Sequence, residues 1–367
     1  MVAPLTLHGA TIEIGPGALD SLGTRVEALH PDHRVAIIAD QQVATLYGDR
    51  AMASFVRATQ GAQAPILLTF APGEKQKNRA TWGALTDQLV AAGLGRDTVL
   101  VALGGGVTGD LAGFVAATFL RGVPLVQVPT SLLAMIDSSV GGKTGLDTAA
   151  GKNLVGAFHH PSLVLTDPRL LTTLPPLELR TGLAEAIKHG VIADPSYFAW
   201  IATGLRQILH GDEPDDPTAL HLVRRSVEIK VQIVRKDERE AGLRKILNFG
   251  HTVGHAIEQV MAYGIAHGEA VAIGMVAEAI LAERLRLAER GLSDAIATVC
   301  DAAGLQVRLP EGVSPAEVVT ATRTDKKARG GQVEFALPRA LGEMAGSENR
   351  YGVRVTDADV LRALEHL

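Results

Sequence analysis

Hydrophobic residues in the first half of the chain fall into short runs separated by segments of helical length. Runs of four or five residues, rich in valine, isoleucine and leucine, are typical of buried strands and occupy residues 35–39, 66–70, 99–103 and 125–128. The segments between them are patterned as helices over residues 41–59, 78–93 and 107–120. This alternation predicts an α/β domain with a mostly parallel, Rossmann-like sheet that helices cover on both faces.

The pattern changes after the pair Pro175–Pro176. Longer amphipathic segments follow, with few strand-like runs, and they predict helices over residues 181–193, 217–239, 251–262, 269–290 and 292–303. A chain of 367 residues also exceeds the usual size of one domain. We therefore expect two domains, an α/β domain over residues 1–176 and a mostly α-helical domain over residues 177–367.

Composition and charge narrow the classes of partner. The net charge is −5, so no overall positive field attracts nucleic acid or an anionic membrane surface, and we expect neither as a partner. An anionic ligand would need a local basic pocket. No segment approaches about 18 uninterrupted apolar residues and the N-terminus lacks a signal-peptide pattern, which predicts a cytoplasmic protein. The single cysteine, Cys300, lies in an apolar run, and we interpret it as buried and inert.

A glycine-rich loop joins the third predicted strand to a helix. Gly104, Gly106 and Gly109 have the G-x-G-x-x-G spacing, which lets a backbone approach a pyrophosphate at a helix N-terminus. The usual dinucleotide fold has a ribose-binding acid about 20 residues later, where this chain has Pro129–Thr130. Asp40, at the end of the first predicted strand, is the better candidate. A purely structural tight turn is the alternative interpretation of the loop.

A charged turn at residues 72–77 directly follows the second predicted strand. Open parallel sheets bind their ligands at this carboxyl end, so the turn is a candidate part of the same site. A solvated surface loop is the alternative interpretation.

Side chains with the spacing of metal ligands cluster in the second half of the chain. Glu185 and Lys188 share a helical face at i and i+3, for which a surface ion pair is the alternative. His251 and His255 occupy i and i+4 of another helix, and His267 opens the next. A carboxylate with two or three imidazoles suits zinc or a similar divalent ion. Spacing alone leaves open which histidines bind metal, which one moves protons, and whether they are only structural.

Longer motifs occur together and in order along the chain. They are GGGVTGD at 104–110, PTSLLAMIDSSVGGKTG at 129–145, GKN at 151–153, AEAIK at 184–188, NFGH at 248–251 with His255, HGE at 267–269 and TDKK at 324–327. With these motifs the chain resembles the 3-dehydroquinate synthase family of sugar-phosphate cyclases over nearly its whole length. Ser131 stands where that family commonly has a second threonine, and Ala149–Ala150 where it has other residues, but the Ser131 hydroxyl is kept.

The resemblance implies a lyase of the shikimate pathway, which leads to chorismate and the aromatic amino acids. Such an enzyme converts the sugar acid phosphate DAHP to 3-dehydroquinate and phosphate, using NAD catalytically together with a divalent metal, zinc or cobalt. The resemblance also implies Glu185, His251 and His267 as the metal ligands. His255 is then left to help with phosphate and proton movement.

Two further groups of residues, and a partner, follow from the same resemblance. The implied substrate-binding and catalytic residues are Asp137, Lys143, Lys152, Asn153, Lys188, Lys230, Arg244, Asn248, His255 and Lys326 or its neighbour Lys327. The implied NAD-binding residues are Asp40, Glu74, Lys75, Gly106, Val107, Thr108, Gly109, Asp110, Thr130, Ser131, Lys143, Lys152 and Thr173. We also expect a homodimer in which Arg121 lies near the site of the other protomer.

Three other functions are alternatives at this point. A different sugar-phosphate cyclase, of the valiolone, gadusol or deoxyinosose type, would share the NAD and metal framework. A metal-dependent polyol dehydrogenase would release NADH in each turnover, although the predicted basic residues exceed what a phosphate-free alcohol needs. An NAD-binding redox sensor without chemistry is disfavoured, because the implied metal ligands and pocket lysines are all present.

Overall fold

The computed structural model describes residues 3–61, 64–211, 216–323 and 333–367. The chain packs as two compact units. The first unit comprises Met1–Leu174 and Asp212–Val227, and the second comprises Pro175–Gly211 and Glu228–Leu367. The domain bounds 1–176 and 177–367 stay a prediction.

The described residues of the first unit contain nine strands. They are β1 Leu5–Leu7, β2 Ala10–Ile14, β3 Arg34–Asp40, β4 Ile66–Phe70, β5 Thr98–Gly104, β6 Leu125–Pro129, β7 Lys143–Thr148, β8 Gly151–Phe158 and β9 Leu163–Thr166. Seven of them form one sheet in the order β1-β2-β9-β6-β5-β3-β4. Neighbours in this sheet are parallel, except for the antiparallel hairpin of β1 and β2. The four predicted strands are confirmed as β3 to β6.

Burial explains why these strands read as continuous hydrophobic runs. Every residue of β5 is buried, so both faces of the strand are covered and its sequence shows no polar alternation. The α-helices that lie wholly within the described part of this unit are α1 Leu22–Leu29, α2 Gln41–Val43, α3 Asp49–Ala58, α4 Arg79–Ala91 and α5 Gly106–Thr118. The three predicted helices are thus confirmed, and the first is interrupted by a π-helical turn at Ala44–Gly48.

Strands β7 and β8 were not predicted, and their composition explains the omission. They form a separate antiparallel hairpin whose sequence is polar and rich in glycine. The two backbones approach very closely, since a Cβ atom on Gly156 would lie 2.2 Å from the Thr144 carbonyl oxygen. Such close pairing requires glycine, which weakens the strand signal in a sequence.

The second unit is mostly helical, as predicted. Its helices are α6 Pro176–Ala193, α7 Pro195–His210, α8 Pro217–Lys236, α9 His251–Val260, α10 His267–Arg284, α11 Leu292–Ala302, α12 Pro315–Thr322 and α13 Asp357–Leu364. The first part of α8 belongs to the first unit. Two short antiparallel pairs join β10 Glu334–Phe335 to β13 Val353–Arg354, and β11 Pro338–Ala340 to β12 Glu343–Met344.

Helix α7 and helix α12 escaped the sequence prediction although each carries a start signal. Asp194 and Ser314 cap the two helices by accepting backbone N–H groups, and a proline follows each cap. Helix α8 ends three residues before its predicted end. The carboxylate of Asp237 accepts the backbone N–H groups of Gly242 and Arg244, which turns the chain away.

The hydropathy of the helices and the burial of Cys300 bear on two expectations from the sequence. Among the described residues, no helix is both long enough and apolar enough to cross a membrane. Cys300 is confirmed as buried, and burial raises the pKa of its thiol to about 12, so it stays protonated at neutral pH.

Candidate metal centre and cofactor site

The first unit gathers the predicted cofactor residues at the carboxyl ends of its parallel strands. The chain runs from β3 outward to β4 and then returns to place β5 on the other side of β3, so the strand order reverses between β3 and β5. Ligands of open α/β sheets bind at such a reversal. Asp40 ends β3 and the glycine loop follows β5, which places both at this point.

The glycine loop leads into α5 with its helix N-terminus uncapped by any side chain. Gly105 is the N-cap residue, and a Cβ atom on Gly104 would lie 2.4 Å from Thr108 Oγ1. Position 104 therefore has no room for a larger residue, and the first N–H groups of α5 lie beside this tight loop. A helix N-terminus of this kind attracts a phosphate through its exposed N–H groups and its dipole.

The other cofactor candidates lie close to this loop or at neighbouring strand ends. The Thr130 N–H donates to the Gly104 carbonyl at 3.0 Å, which joins the end of β6 to the loop. Asp40 uses Oδ1 to cap α2 and is thereby held at the end of β3. The Thr173 hydroxyl contacts the hydroxyl of Tyr47, a residue that the sequence did not single out.

A buried lysine that the sequence analysis missed organises the charged turn. Lys77 Nζ lies 3.1 Å from Asp110, 3.3 Å from Glu74 and 3.7 Å from Asp147, and only 5% of its side chain is exposed. These carboxylates come from the turn after β4, from α5 and from β7. Lys75, the predicted neighbour, is exposed. The signal was present, because Lys77 stands at i+3 from Glu74.

The electrostatics of this cluster follow from one cation among several acids. Burial alone would lower the pKa of Lys77, but Asp110 and Glu74 outweigh it and raise the pKa above its usual value. Burial raises the pKa of Asp110 despite the facing ammonium group of Lys77. The pKa of Asp147 is also raised, by burial and by the nearby carboxylate of Glu74. Lys77 is thus held as a cation that ties three segments together.

The hairpin of β7 and β8 carries several predicted substrate residues of the first unit. Lys152 Nζ lies 3.9 Å from Glu74 Oε1, which connects β8 to the charged turn. Asn153 has a positive φ of 52°, a conformation that asparagine tolerates better than most residues, and its N–H donates to Asp147 at 2.8 Å. Lys143 is exposed and Asp137 is partly buried.

The second unit builds a carboxylate and imidazole cluster from three helices. Glu185 in α6 is fully buried. Its Oε1 lies 3.3 Å from Nε2 of His251, the first residue of α9, and 3.6 Å from Nε2 of His267, the first residue of α10. Lys188 contacts Oε2, but neither oxygen has a well-aligned hydrogen-bond donor within the described part of the chain.

Both imidazoles present the same nitrogen to Glu185. The Nδ1 atom of His251 lies 3.1 Å from the Phe249 carbonyl oxygen, and that of His267 lies 3.5 Å from Glu258 Oε1. With an ion bound, a proton on Nδ1 would satisfy these acceptors and leave the Nε2 lone pair available to the metal on the Glu185 side. This is the arrangement of metal-binding histidines, whose other nitrogen is held by a carboxylate or a carbonyl group.

The distances fit a divalent ion among the three side chains. Ligand atoms about 2.1 Å from a tetrahedral zinc ion lie about 3.4 Å from one another. The separations of 3.3 Å and 3.6 Å between Glu185 and the two Nε2 atoms match that spacing. Lys188 faces Oε2, so Oε1, which faces both Nε2 atoms, is the oxygen available to an ion. The residues present therefore suit zinc or cobalt.

The pKa values in this cluster reflect its burial and its one central acid. Burial raises the pKa of Glu185, but Lys188 and the imidazole of His251 outweigh it and hold the pKa well below its usual range. Burial and Lys188 lower the pKa of His251 to about 4. Burial also disfavours the cation of His267, but Glu185 and Glu258 outweigh it and raise its pKa to about 9.

The third histidine and the predicted anion-binding residues lie in the same unit. The ring of His255 lies 5.3 Å from that of His251 and 6.2 Å from that of His267, so the three imidazoles converge. Lys230 and Arg244 are buried cations, and Asn248 contacts Glu240. Lys326, with its neighbour Lys327, lies outside the described residues.

Comparison with known proteins shows the family of the chain. The family models described as 3-dehydroquinate synthase N-terminal and C-terminal match residues 67–181 and 182–328. The 3-dehydroquinate synthase of Caulobacter vibrioides is 46% identical over 340 residues, which cover 90% of each chain. A solved 2-deoxy-scyllo-inosose synthase, complexed with carbaglucose-6-phosphate, NAD+ and Co2+, has a TM-score of 0.88 at 26% identity over 99% of both chains. The 2-epi-5-epi-valiolone synthase of Streptomyces hygroscopicus, with NAD+ and Zn2+, has a TM-score of 0.85 at 28% identity over 100% of this chain and 98% of its own.

A parallel sheet with a glycine loop, followed by a carboxylate and imidazole cluster on helices, defines the class of NAD- and metal-dependent sugar-phosphate cyclases. The two family models together span most of the chain, and the curated relative adds high identity over the same length. The chain belongs to the 3-dehydroquinate synthase family.

Proposed function

We propose that this protein converts DAHP to 3-dehydroquinate and phosphate, as a carbon–oxygen lyase that requires NAD and a divalent metal. The observation that carries the proposal is the buried Glu185 carboxylate facing Nε2 of His251 and of His267. Family membership supports the choice of this reaction over those of other sugar-phosphate cyclases.

The cofactors supply the redox and Lewis-acid chemistry. Bound NAD would supply reversible hydride acceptance from a secondary alcohol of the substrate. A zinc or cobalt ion would supply Lewis-acid chemistry. Glu185, His251 and His267 are proposed as its ligands.

Buried cations of the second unit are proposed to bind the anionic groups of the substrate. Lys188, Lys230 and Arg244 are each at most 5% exposed, and lysine and arginine side chains are the usual ligands of phosphate and carboxylate groups. The backbone N–H of Arg244 donates to the Asp237 carboxylate, and its guanidinium group donates to the Glu238 carbonyl oxygen. The guanidinium group is therefore positioned before substrate arrives. Asn248 completes this group, and His255 is proposed to move a proton between substrate oxygens.

The remaining site residues keep their predicted roles as proposals. Substrate orientation is assigned to Asp137, Lys143, Lys152, Asn153 and Lys326. NAD binding is assigned to Asp40, Glu74, Lys75, Gly106, Val107, Thr108, Gly109, Asp110, Thr130, Ser131, Lys143, Lys152 and Thr173. The division into two domains, residues 1–176 and 177–367, and the cytoplasmic location are likewise proposals.

A homodimer is proposed from an apolar edge in the first unit. Leu154 and Phe158 on β8 are 44% and 47% exposed, and β8 pairs only with β7 among the described strands. Nε2 of His159 lies 2.9 Å from the Val123 carbonyl oxygen, which places this edge beside the turn that carries Arg121. A second copy covering the edge would bring its own Arg121 close to this protomer.

The test is phosphate release from DAHP by the NAD-loaded protein, with and without a metal chelator. We expect stoichiometric phosphate and 3-dehydroquinate, loss of both products after chelation, and recovery with Zn2+ or Co2+. Phosphate release from sedoheptulose 7-phosphate, with none from DAHP, would instead identify a valiolone-type cyclase. Net accumulation of NADH with simple polyols would identify a dehydrogenase and overturn the proposal.

A further inference from the structure

Helices α9 and α10 each carry one histidine of the metal cluster and one buried carboxylate. His251 and Glu258 lie on α9, and His267 and Glu278 lie on α10. Glu258 is 2% exposed and Glu278 is fully buried. Carboxylates are rarely buried to this extent unless they have a specific partner, so each requires an explanation.

Glu258 reaches from α9 to the histidine that begins α10. Its Oε1 lies 3.5 Å from Nδ1 of His267, on the opposite side of the imidazole from Glu185. Glu258 follows His251 by seven residues, two helical turns, so the two side chains share one face of α9. The carboxylate favours the His267 tautomer with a proton on Nδ1 and thereby directs Nε2 at the metal position.

Glu278 reaches in the opposite direction, from α10 to the beginning of α9. Its carboxylate accepts the N–H groups of Gly250 at 2.7 Å and of Val253 at 3.1 Å. Gly250 is the N-cap residue of α9 and has no side chain to satisfy these groups. Glu278 therefore caps the helix from a neighbouring element, which fixes the backbone on both sides of His251.

We propose that Glu258 and Glu278 form a reciprocal brace, in which a carboxylate on each helix positions the metal-binding histidine of the other helix. Both are positioning residues that set metal affinity and geometry, and neither is a ligand. This inference rests on the metal site assigned under the proposed function. It makes the affinity for the ion depend on side chains that do not touch it.

A competing arrangement uses Glu258 itself as a ligand. One ligand atom from each of His255, Glu258 and His267 also lies within 4.8 Å of the others. Two observations favour the assignment to Glu185. Nε2 of both His251 and His267 faces Glu185, whose buried oxygens lack an aligned donor among the described residues, whereas Glu258 faces Nδ1.

The experiment measures Zn2+ affinity by chelator competition and the visible absorption of the Co2+-substituted protein. Glu258→Leu removes the acceptor for Nδ1, and we expect Zn2+ binding weakened about 10- to 100-fold with a changed Co2+ spectrum. Glu258→Gln keeps an acceptor oxygen and should restore most of the affinity. Glu278→Gln keeps an acceptor for only one of the two N–H groups and should weaken binding about tenfold.

Glu283→Gln is the matched control. Glu283 lies on α10 and also accepts a backbone N–H, from Ser293 at 2.7 Å, but it stands 16 residues beyond His267, about 24 Å along the helix. We expect wild-type affinity and spectrum from this variant. The thermal midpoint of each metal-free variant shows whether any loss of affinity merely reflects unfolding.

The outcomes separate the brace from the site on which it depends. Wild-type affinity and spectrum in Glu258→Leu and in Glu278→Gln would overturn the brace while leaving the metal site intact. Abolished binding in Glu258→Gln, with binding retained in Glu185→Gln, would make Glu258 a ligand and overturn the brace as well. A wild-type protein that binds no Zn2+ would overturn the metal site itself.

Discussion

The two candidate sites are built on opposite charge patterns. In the first unit, the buried Lys77 cation is surrounded by three carboxylates at 3.1 to 3.7 Å. In the second unit, the buried Glu185 carboxylate is surrounded by a lysine and two imidazoles. Both central groups are charged, and both lie where an isolated charge would be very costly.

The difference between the sites is in how far their own side chains satisfy the central charge. Lys77 Nζ donates a hydrogen bond to Asp110, and the cluster already contains more acid than base. Glu185 has no well-aligned donor within the described residues. We therefore interpret the first cluster as an ion-pair network that ties three segments together, and the second as a cluster that offers Glu185 Oε1 and two Nε2 atoms to a divalent ion.

Removing the acid at the centre of the second site should have the largest effect. In Glu185→Gln, the ion loses a charged ligand, and we expect turnover to fall more than about 100-fold, beyond the range of outer-shell changes. Metal content should fall in parallel, while circular dichroism stays that of the wild type. Full turnover with full metal content, measured by elemental analysis, would show that Glu185 is not a ligand.

Removing the cation at the centre of the first site should act on stability. Lys77→Met leaves Asp110 and Asp147 without their shared counter-ion, and breaking a buried pair costs about 3–5 kcal/mol. Chemical denaturation of the cofactor-free protein measures this loss. Lys75→Met is the control, because Lys75 is exposed and such a change usually costs less than about 0.5 kcal/mol.

The free energy of unfolding that Lys77 contributes should depend on pH. The pKa of Lys77 is raised above its usual value of 10.5, so its stabilising contribution is complete below pH 10.5 and fades as the pH rises through the higher folded-state value. The free energy of unfolding lost in Lys77→Met should therefore shrink above pH 10.5. A difference that grows in that range would contradict the network.

A glycine between the two histidine helices should have a moderate effect. A Cβ atom on Gly274 would lie 1.9 Å from the Gly250 carbonyl oxygen, directly before His251. In Gly274→Ala, α9 and α10 must move apart, at a cost of about 1–3 kcal/mol, and the Zn2+ affinity should fall with the stability. An unchanged melting temperature and unchanged affinity would show that the helix spacing does not hold the site.

Replacing a glycine in the first unit should have the smallest effect on stability, and it should stabilise the protein rather than destabilise it. Gly83 lies within α4, and a Cβ atom on it would meet nothing within 4 Å. Gly83→Ala should raise the free energy of unfolding by about 0.4–1 kcal/mol, because alanine loses less backbone freedom on folding. Turnover should stay that of the wild type. Destabilisation in a denaturant titration would mean that α4 is packed differently.

The sequence by itself determined the parts of the protein that depend on local periodicity. Apolar runs such as residues 66–70 indicated β4, and the glycine spacing at 104–109 indicated a tight turn after β5 that is a candidate for phosphate binding. Histidines one helical turn apart indicated that α9 is a candidate metal-binding helix. Local patterns are readable because the strand and helix periods fix which side chains share a face.

Only the tertiary structure decided how these parts combine. The acids around Lys77 come from positions 74, 110 and 147, and no local period links them. Likewise, spacing offered three histidines equally, and the orientation of their nitrogens toward Glu185 separates two of them as the proposed ligands. The physical reason is that strand order and helix packing bring distant residues within 4 Å. Burial then decides which charges need a partner.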